Sequence, residues 1–250
     1  MRCPTVQLGR RGPIIPALIF GTEHIIHLTP EEGGRLLDEA RRDFGLFHWD
    51  TAPPYGSQPH VAQGLKLAGR EKVVVTSKIA SKSYESARDD LLGILEELGS
   101  DYLDICFLHN VKAGAYREHM PALEFLCEAK EAGVIRHVGL SSHVPGVIAT
   151  AATEERLQIV CAPLNLAGSR IDDGDADQMA GALRACHAAG KGVYVIKVLG
   201  VGDLSDDVPA AIDFALRQPF VDACNVGMRD MDQVAFNVAV VNETIGKKIS

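Results

Sequence analysis

The stretch Lys72-Val-Val-Val-Thr-Ser77 followed by Tyr84-Glu-Ser-Ala-Arg-Asp-Asp-Leu-Leu-Gly-Ile-Leu-Glu-Glu-Leu98 holds the fold in miniature. Its first part is a short β-branched run of the kind that lies buried on both faces of a parallel sheet. Its second part places Ala87, Leu91, Leu92, Ile94, Leu95 and Leu98 mostly on one stripe, with Arg88, Asp89, Asp90, Glu96 and Glu97 largely outside it, which predicts an outer helix packed on that sheet by one face. The same unit recurs along the chain. Apolar runs at Ile14–Phe20, Leu46–Trp49, Lys72–Ser77, Tyr102–Leu108, Ile135–Leu140, Gln158–Cys161, Gly192–Val198 and Ala223–Val226 predict eight strands, each separated from the next by enough residues for a returning helix.

Eight such units of roughly 28 residues each are what a compact (β/α)8 barrel needs. An open doubly wound sheet is the competing α/β architecture, but it usually carries a Gly-x-Gly-x-x-Gly turn after its first strand. Here that strand ends in Phe20-Gly21-Thr22-Glu23. The reading is therefore one (β/α)8 barrel domain over residues 1–250. Thr5–Leu8 and Gly12–Ile15, around Arg10-Arg11, predict a short N-terminal β-hairpin that covers the barrel bottom. Thr29-Pro30-Glu31-Glu32 predicts the start of the first helix, with Thr29 as cap, Pro30 in the first turn and Glu32 closing a capping box.

The 250 residues are 46% hydrophobic and 23% charged, with a formal charge of −8, a globular composition that excludes disorder. Basic residues are scattered, which argues against a nucleic-acid partner. No window resembles a membrane span or the apolar core of a secretory signal, so the expected location is the cytoplasm. Cys3, Cys106, Cys127, Cys161, Cys186 and Cys224 contain no C-x-x-C pair and read as buried free thiols. No metal site is expected: the acidic run Asp172-Asp173-Gly174-Asp175-Ala176-Asp177 lacks the closing Glu of a calcium loop and fits helix capping.

Chemistry in such a barrel gathers at the strand ends. Asp50 follows Leu46-Phe47-His48-Trp49, Lys78 follows Val73–Ser77, His109 follows Ile105–Leu108, and Tyr55 lies in the turn that begins at Asp50. Because the strands alternate faces, one of His48 and Trp49 points into the barrel, and Trp49 is read as core packing. A lysine ammonium beside a phenol stabilises the phenolate and moves the tyrosine toward acidity. Asp50 would hold that lysine, His109 would donate to a carbonyl oxygen, and Tyr55 would deliver the proton while another agent supplies hydride. Side chains cannot donate hydride, so the set implies a nicotinamide cofactor.

At these residues the chain resembles the aldo-keto reductases, (β/α)8 enzymes that reduce aldehydes and ketones with NADPH. The shared wording includes Leu8-Gly9-Arg10, Gly21-Thr22, Asp50-Thr51-Ala52 with Tyr55-Gly56, Thr76-Ser77-Lys78, Asp101-Tyr102-Leu103-Asp104 leading to Leu108-His109, and Gly133–Arg136 leading to Val138–Ser141. It is most similar to a bacterial branch of oxidoreductases that often carry a C-terminal iron–sulfur extension, which these 250 residues do not include. The resemblance implies the catalytic tetrad Asp50, Tyr55, Lys78 and His109, and a substrate mouth formed by Glu23, His24, Tyr55 and His109. That mouth is expected to be open, because the chain stops soon after the eighth helix.

The resemblance also implies cofactor contacts from Gly21, Thr22, Asp50, Ser141, Ser142, Cys161, Lys197, Leu199, Gly200, Gly227, Met228, Arg229, Gln233 and Asn237. Ser142 stands at the family's carboxamide-binding Asn, Cys161 at its glutamine, Lys197 at its ring-stacking position and Gln233 at a frequent phosphate-binding arginine, for which Arg229 is the substitute. An ammonium at Lys197 should disfavour the oxidised, cationic ring most. The turn Gly200-Val201-Gly202 offers backbone N–H groups to a phosphate. NADPH is the expected cofactor, NADH a possible one, and a small carbonyl compound the expected substrate. Two other readings stay open: a dinucleotide-binding regulatory barrel without catalysis, and an aldolase-like barrel in which Lys78 forms a Schiff base. The sequence does not give the oligomeric state.

Overall fold

In a computed structural model of the chain, which describes residues 1–249, eight parallel strands close into a barrel ringed by eight helices. The strands are β3 (Leu18–Gly21), β4 (His48–Asp50), β5 (Val74–Ile79), β6 (Leu103–Leu108), β7 (Ile135–Ser141), β8 (Ile159–Pro163), β9 (Gly192–Ile196) and β10 (Ala223–Gly227). Closure is made by β10 on β3, in the register Cys224↔Leu18 to Gly227↔Gly21. The helices are α1 (Pro30–Phe44), α2 (Gln58–Ala68), α3 (Tyr84–Leu98), α4 (Met120–Glu131), α5 (Pro145–Ala151), α6 (Ala176–Ala188), α7 (Val208–Arg217) and α8 (Met231–Ile249). Among the described residues no helix is long and apolar enough to cross a membrane.

The run Ile14–Phe20 is not one strand. It divides at Ala17 into β2 (Ile14–Pro16), which pairs antiparallel with β1 (Thr5–Gln7), and β3 of the barrel. Ala17 is the joint: its N–H donates to Pro4 at 2.8 Å, while its carbonyl accepts from Cys224 at 2.9 Å and starts the ladder with β10. The hairpin closes the amino-terminal end of the barrel. Leu8 and Ile15 are fully buried with Ile19, Ile105, Phe107, Ile159 and Tyr194 in the interior cluster. Gly9, at φ +63°, lies so close to β9 that a Cβ there would stand 2.2 Å from the Gly192 nitrogen, so the hairpin seats only with glycine at its tip.

Alternation along each strand sorts the core into two layers. In β6, Ile105 and Phe107 face the interior while Cys106 and Leu108 pack outward under the helices. In β4, Trp49 belongs to the outer layer, its Nε1 donating to the Leu46 carbonyl, and His48 is buried inside against Thr76 and Tyr194. Thr29 and Glu32 form the capping box of α1, and Asp175 with Gln178 forms that of α6. In α3, Leu92 departs from the expected stripe and is exposed, and Leu95 is half-buried.

Candidate active site

Asp50 ends β4, and Lys78 lies near the end of the neighbouring β5, whose register pairs Asp50 with Thr76. Lys78 therefore sits two residues further toward the carboxyl rim and reaches back: its Nζ donates to Asp50 Oδ1 at 2.5 Å and to the Thr51 carbonyl at 2.9 Å. A single 3-10 turn, Pro53–Tyr55, follows. It is closed by Tyr55 N–H on Ala52 at 3.0 Å and ends at Gly56, whose left-handed φ of 68° reverses the chain. This folds the Tyr55 ring over the lysine, with Nζ 4.7 Å from the ring centroid. Beyond β6, the His109 N–H is fixed on the Ile79 carbonyl at 2.8 Å, and its ring meets Tyr55 edge-on at 6.1 Å between centroids.

A buried cluster of hydroxyls pins this arrangement from behind. Thr22 Oγ1 donates to the Asp50 carbonyl at 2.9 Å and lies 2.7 Å from Ser57 Oγ, which is itself 2.9 Å from Thr51 Oγ1. Lys78 and Asp50 are each about 2% exposed, so their charges face one another rather than water. Burial alone would drive the ammonium to lose its proton, but the attraction of Asp50, together with that of Tyr55 and Cys161 and the hydrogen bond to Asp50, outweighs it and Lys78 is raised above the ordinary lysine range.

The phenol departs from expectation. Burial pushes Tyr55 up to about 12, because the downward pull of Lys78 is smaller than the desolvation of a phenolate and is opposed in part by Asp50. Tyr55 is thus a protonated phenol throughout the neutral range. Burial, helped by Lys78, pushes His109 down to about 4. The imidazole is neutral at pH 7 and can donate one N–H.

A cleft of ≈ 330 Å³ opens from Asp50 and Tyr55 along the carboxyl rim toward the start of α8. Of the residues expected at the cofactor and substrate sites, Gly21, Thr22, Glu23, His24, Lys197, Leu199, Gly227, Arg229 and Gln233 line it together with Asp50 and Tyr55. Glu23 and Lys197 meet across it, Oε2 to Nζ, at 3.0 Å. Gly227 packs against His24, where a Cβ would come within 2.0 Å of the imidazole Cδ2. Gln233 accepts from the Arg229 N–H at 3.0 Å and its own N–H is capped by Asp230 at 2.8 Å, so its amide serves the start of α8.

Other expected cofactor residues lie behind the wall. Ser142 is fully buried, its hydroxyl donating to Val111 at 2.6 Å and accepting from the Val144 N–H at 3.0 Å. Ser141 Oγ accepts from the Asn110 N–H at 2.9 Å. Cys161 is in the interior cluster beside Tyr194, Met228 is packed in the outer core, Asn237 is buried on α8, and Gly200 is buried with φ +61°. None of them lines the cleft: Ser141 and Cys161 are register partners on neighbouring strands, Ser142 is bonded into the turn after β7, and Met228 and Asn237 are packed in the core. Asn225 and Val226, at the start of the segment that resembles the family's adenine and 2′-phosphate region, also line the cleft, as do Ile196, Val198 and Ser205. Ile196 and Val198 flank Lys197 in the sequence, and no sequence pattern singles out Ser205. Val201 and Gly202, expected to offer phosphate-binding N–H groups, are also part of the lining.

A closed parallel barrel with Asp50 and Tyr55 lining a rim cleft, and Lys78 and His109 packed against them, defines a rim-site α/β barrel of the enzyme type. The sequence profile of the Aldo/keto reductase family matches residues 17–210, well over half of the chain, and the chain belongs to that family, a family of oxidoreductases. It is 33% identical over 165 residues to an aldo-keto reductase of Mycobacterium avium, covering 60% of this chain and 52% of that protein. It is 28% identical over 142 residues to methylglyoxal reductase DkgA of Escherichia coli O157:H7, covering 56% and 50%. The chain thus spans about half the length of the curated relatives it matches. The fold is shared with a solved Pseudomonas aeruginosa structure at TM-score 0.83 and 24% identity over 96% of each chain. It is also shared with the holo form of aldo-keto reductase AKR11C1 of Bacillus halodurans at TM-score 0.78 and 21% identity, over 96% of this chain and 91% of that one.

Proposed function

We propose that this chain is an NADPH-dependent oxidoreductase, able to accept NADH, that reduces the carbonyl of a small aldehyde or ketone. The observation that carries the reading is that Asp50 and Tyr55 line the inner end of a cleft that continues to Arg229, with Lys78 bonded to Asp50 beneath the Tyr55 ring and His109, which does not itself line the cleft, edge-on to that ring. A dinucleotide suits what lines that cleft: Gly21 and Gly227 bring backbone to its wall, and Arg229 adds a guanidinium whose charge reinforces the lowering of the His24 imidazole that burial begins, a cation suited to a phosphate. Gly21, Thr22, Lys197, Leu199, Gly227 and Arg229 are the residues proposed to hold it, joined by Asn225 and Ser205. When bound, the nicotinamide supplies the hydride.

The protein's own part is to hold the carbonyl oxygen and protonate it. The neutral His109 donates to that oxygen and Tyr55 O–H lies beside it. As the carbonyl carbon becomes tetrahedral, its oxygen becomes an alkoxide far more basic than any phenolate, so even a phenol near 12 gives up its proton downhill. Lys78 then faces the phenolate that remains, and Asp50 keeps Lys78 charged until solvent reprotonates the ring. By stabilising that phenolate the lysine holds Tyr55 below where burial alone would put it, without bringing it into the neutral range.

The test is consumption of NADPH and NADH, followed at 340 nm, against a panel of short aldehydes, ketones, quinones and open-chain sugars. Substrate-dependent oxidation of NADPH supports the reading. No consumption with any of them, from a protein that is folded and binds NADPH, contradicts it and favours a non-catalytic dinucleotide binder.

A further inference from the structure

On the interior side of the barrel, β9 carries Tyr194, a residue for which carbonyl reduction gives no direct use. Its side chain is fully buried, with the ring edge-on to Phe107 at 5.7 Å and to His48 at 6.0 Å between centroids. A phenylalanine would satisfy that packing equally well. The hydroxyl does something packing does not require: it donates to Asp50 Oδ2 at 2.5 Å. The other oxygen of the same carboxylate receives Lys78 Nζ, also at 2.5 Å. Asp50 is therefore held at both oxygens, and the connected groups run from Tyr194 through Asp50 and Lys78 to the ring of Tyr55.

We propose that Tyr194 is a positioning residue for the reduction: its hydroxyl holds the Asp50 carboxylate charged and oriented, so that Lys78 remains an ammonium beneath Tyr55. The proposal rests on the reading of Tyr55 as the proton donor. The groups that face Asp50 are Lys78 from β5, Tyr194 from β9, Cys161 from β8, Tyr55 from the 3-10 turn and His109 beyond β6. Tyr55, Tyr194 and Cys161 stay protonated and His109 stays neutral at pH 7, since burial penalises the charged form of each. Lys78 and Asp50 are the charged pair. If Asp50 takes a proton, the buried ammonium loses its counter-charge and follows by releasing its own. Tyr55 is then left with no cation to receive its phenolate. A hydrogen bond donated to a carboxylate favours the charged form, and in a buried site no water replaces it.

The test uses four full-length proteins: wild type, Tyr194→Phe, Asp50→Asn and the double variant. Circular dichroism and the Kd for NADPH, unchanged within about twofold, establish that Tyr194→Phe folds and binds. Its kcat is expected to fall roughly tenfold, the scale of one hydrogen bond to a charged group. The acid limb of its pH profile is expected to move upward by about one unit, a displacement that loss of packing alone does not produce. In the Asp50→Asn background the same change should alter kcat by less than about twofold. A wild-type kcat and acid limb in Tyr194→Phe, or an equal loss in both backgrounds, overturns the proposal. Should the wild type reduce no carbonyl compound, the proton-donor reading fails first and the catalytic role of Tyr194 fails with it. That outcome is distinct from an active wild type whose Tyr194→Phe variant is indifferent.

Discussion

Two buried histidines carry the clearest pH signature of individual residues in this fold. Burial holds His48 down to about 3 and His109 down to about 4, whereas both return toward 6.5 when the chain unfolds. The unfolded state therefore binds protons that the folded state refuses between those limits, and stability present above about pH 6.5 is lost as the pH falls through that window. Each histidine is expected to contribute a slope approaching about 1.4 kcal/mol per pH unit at most. Chemical denaturation at pH 7, 6 and 5 checks this: His48→Gln should flatten the curve, and an unchanged slope would show that its ring is not buried neutral.

Glu23 and Lys197 make a second prediction at this scale. The pair is partly exposed, so its own stability contribution is small, but it neutralises an ammonium that faces the cleft. Glu23→Gln is expected to weaken binding of NADP+ about threefold to tenfold more than binding of NADPH, since the bare ammonium repels the cationic ring. Fluorescence titration with each form reads the ratio; equal effects on both would refute the assignment. The sequence offers Lys197 as an unpartnered cation at the ring position, and the partner lies at residue 23, in a loop after a different strand. Such pairings are invisible to spacing.

At the level of elements, the N-terminal hairpin and the helix caps are the parts that act independently of the cleft. Leu8 is fully buried at the barrel bottom, so Leu8→Ala is expected to lower stability by about 2–4 kcal/mol while leaving the Kd for NADPH unchanged, because the cleft lies at the opposite rim. Thermal denaturation and cofactor titration measure the two; a large loss of affinity would mean the two ends are coupled. Thr29→Ala, which removes the capping box of α1, is expected to cost about 1 kcal/mol. These features were legible: Thr29-Pro30-Glu31-Glu32 announces its helix start, and α3 has the limits Tyr84–Leu98 that its stripe suggests. The division of Ile14–Phe20 was not. The run is apolar throughout, interrupted only by the Pro16-Ala17 pair of low strand preference, and what divides it is the change of hydrogen-bonding partner at Ala17, from Pro4 to Cys224.

Across the whole molecule, the barrel follows from repetition, because eight short apolar runs with helix-length gaps have few ways to close. The placing of Asp50, Lys78 and His109 follows as well, since each stands at or just past the end of such a run. What repetition does not reveal is which way a rim side chain turns. Cys161 is buried in the interior cluster and Ser142 is bonded into the turn after β7, so neither lines the cleft, whereas Asn225, on the same rim, does. The described residues also concentrate backbone strain at this rim: Asn110, Arg170, Asp173, Lys197 and Val201 have positive φ, and all lie in loops that follow barrel strands. Strained loops gathered at one face agree with a rim built to bind rather than to stabilise.

The proposed reduction requires Tyr55 to supply a proton and not merely to line the cleft. Its most direct measurement is Tyr55→Phe beside the wild type, with NADPH affinity and the rate of carbonyl reduction determined on the same preparations. Kd is expected to be unchanged and turnover lower by about two to four orders of magnitude. A variant that reduces the carbonyl at the wild-type rate contradicts that requirement.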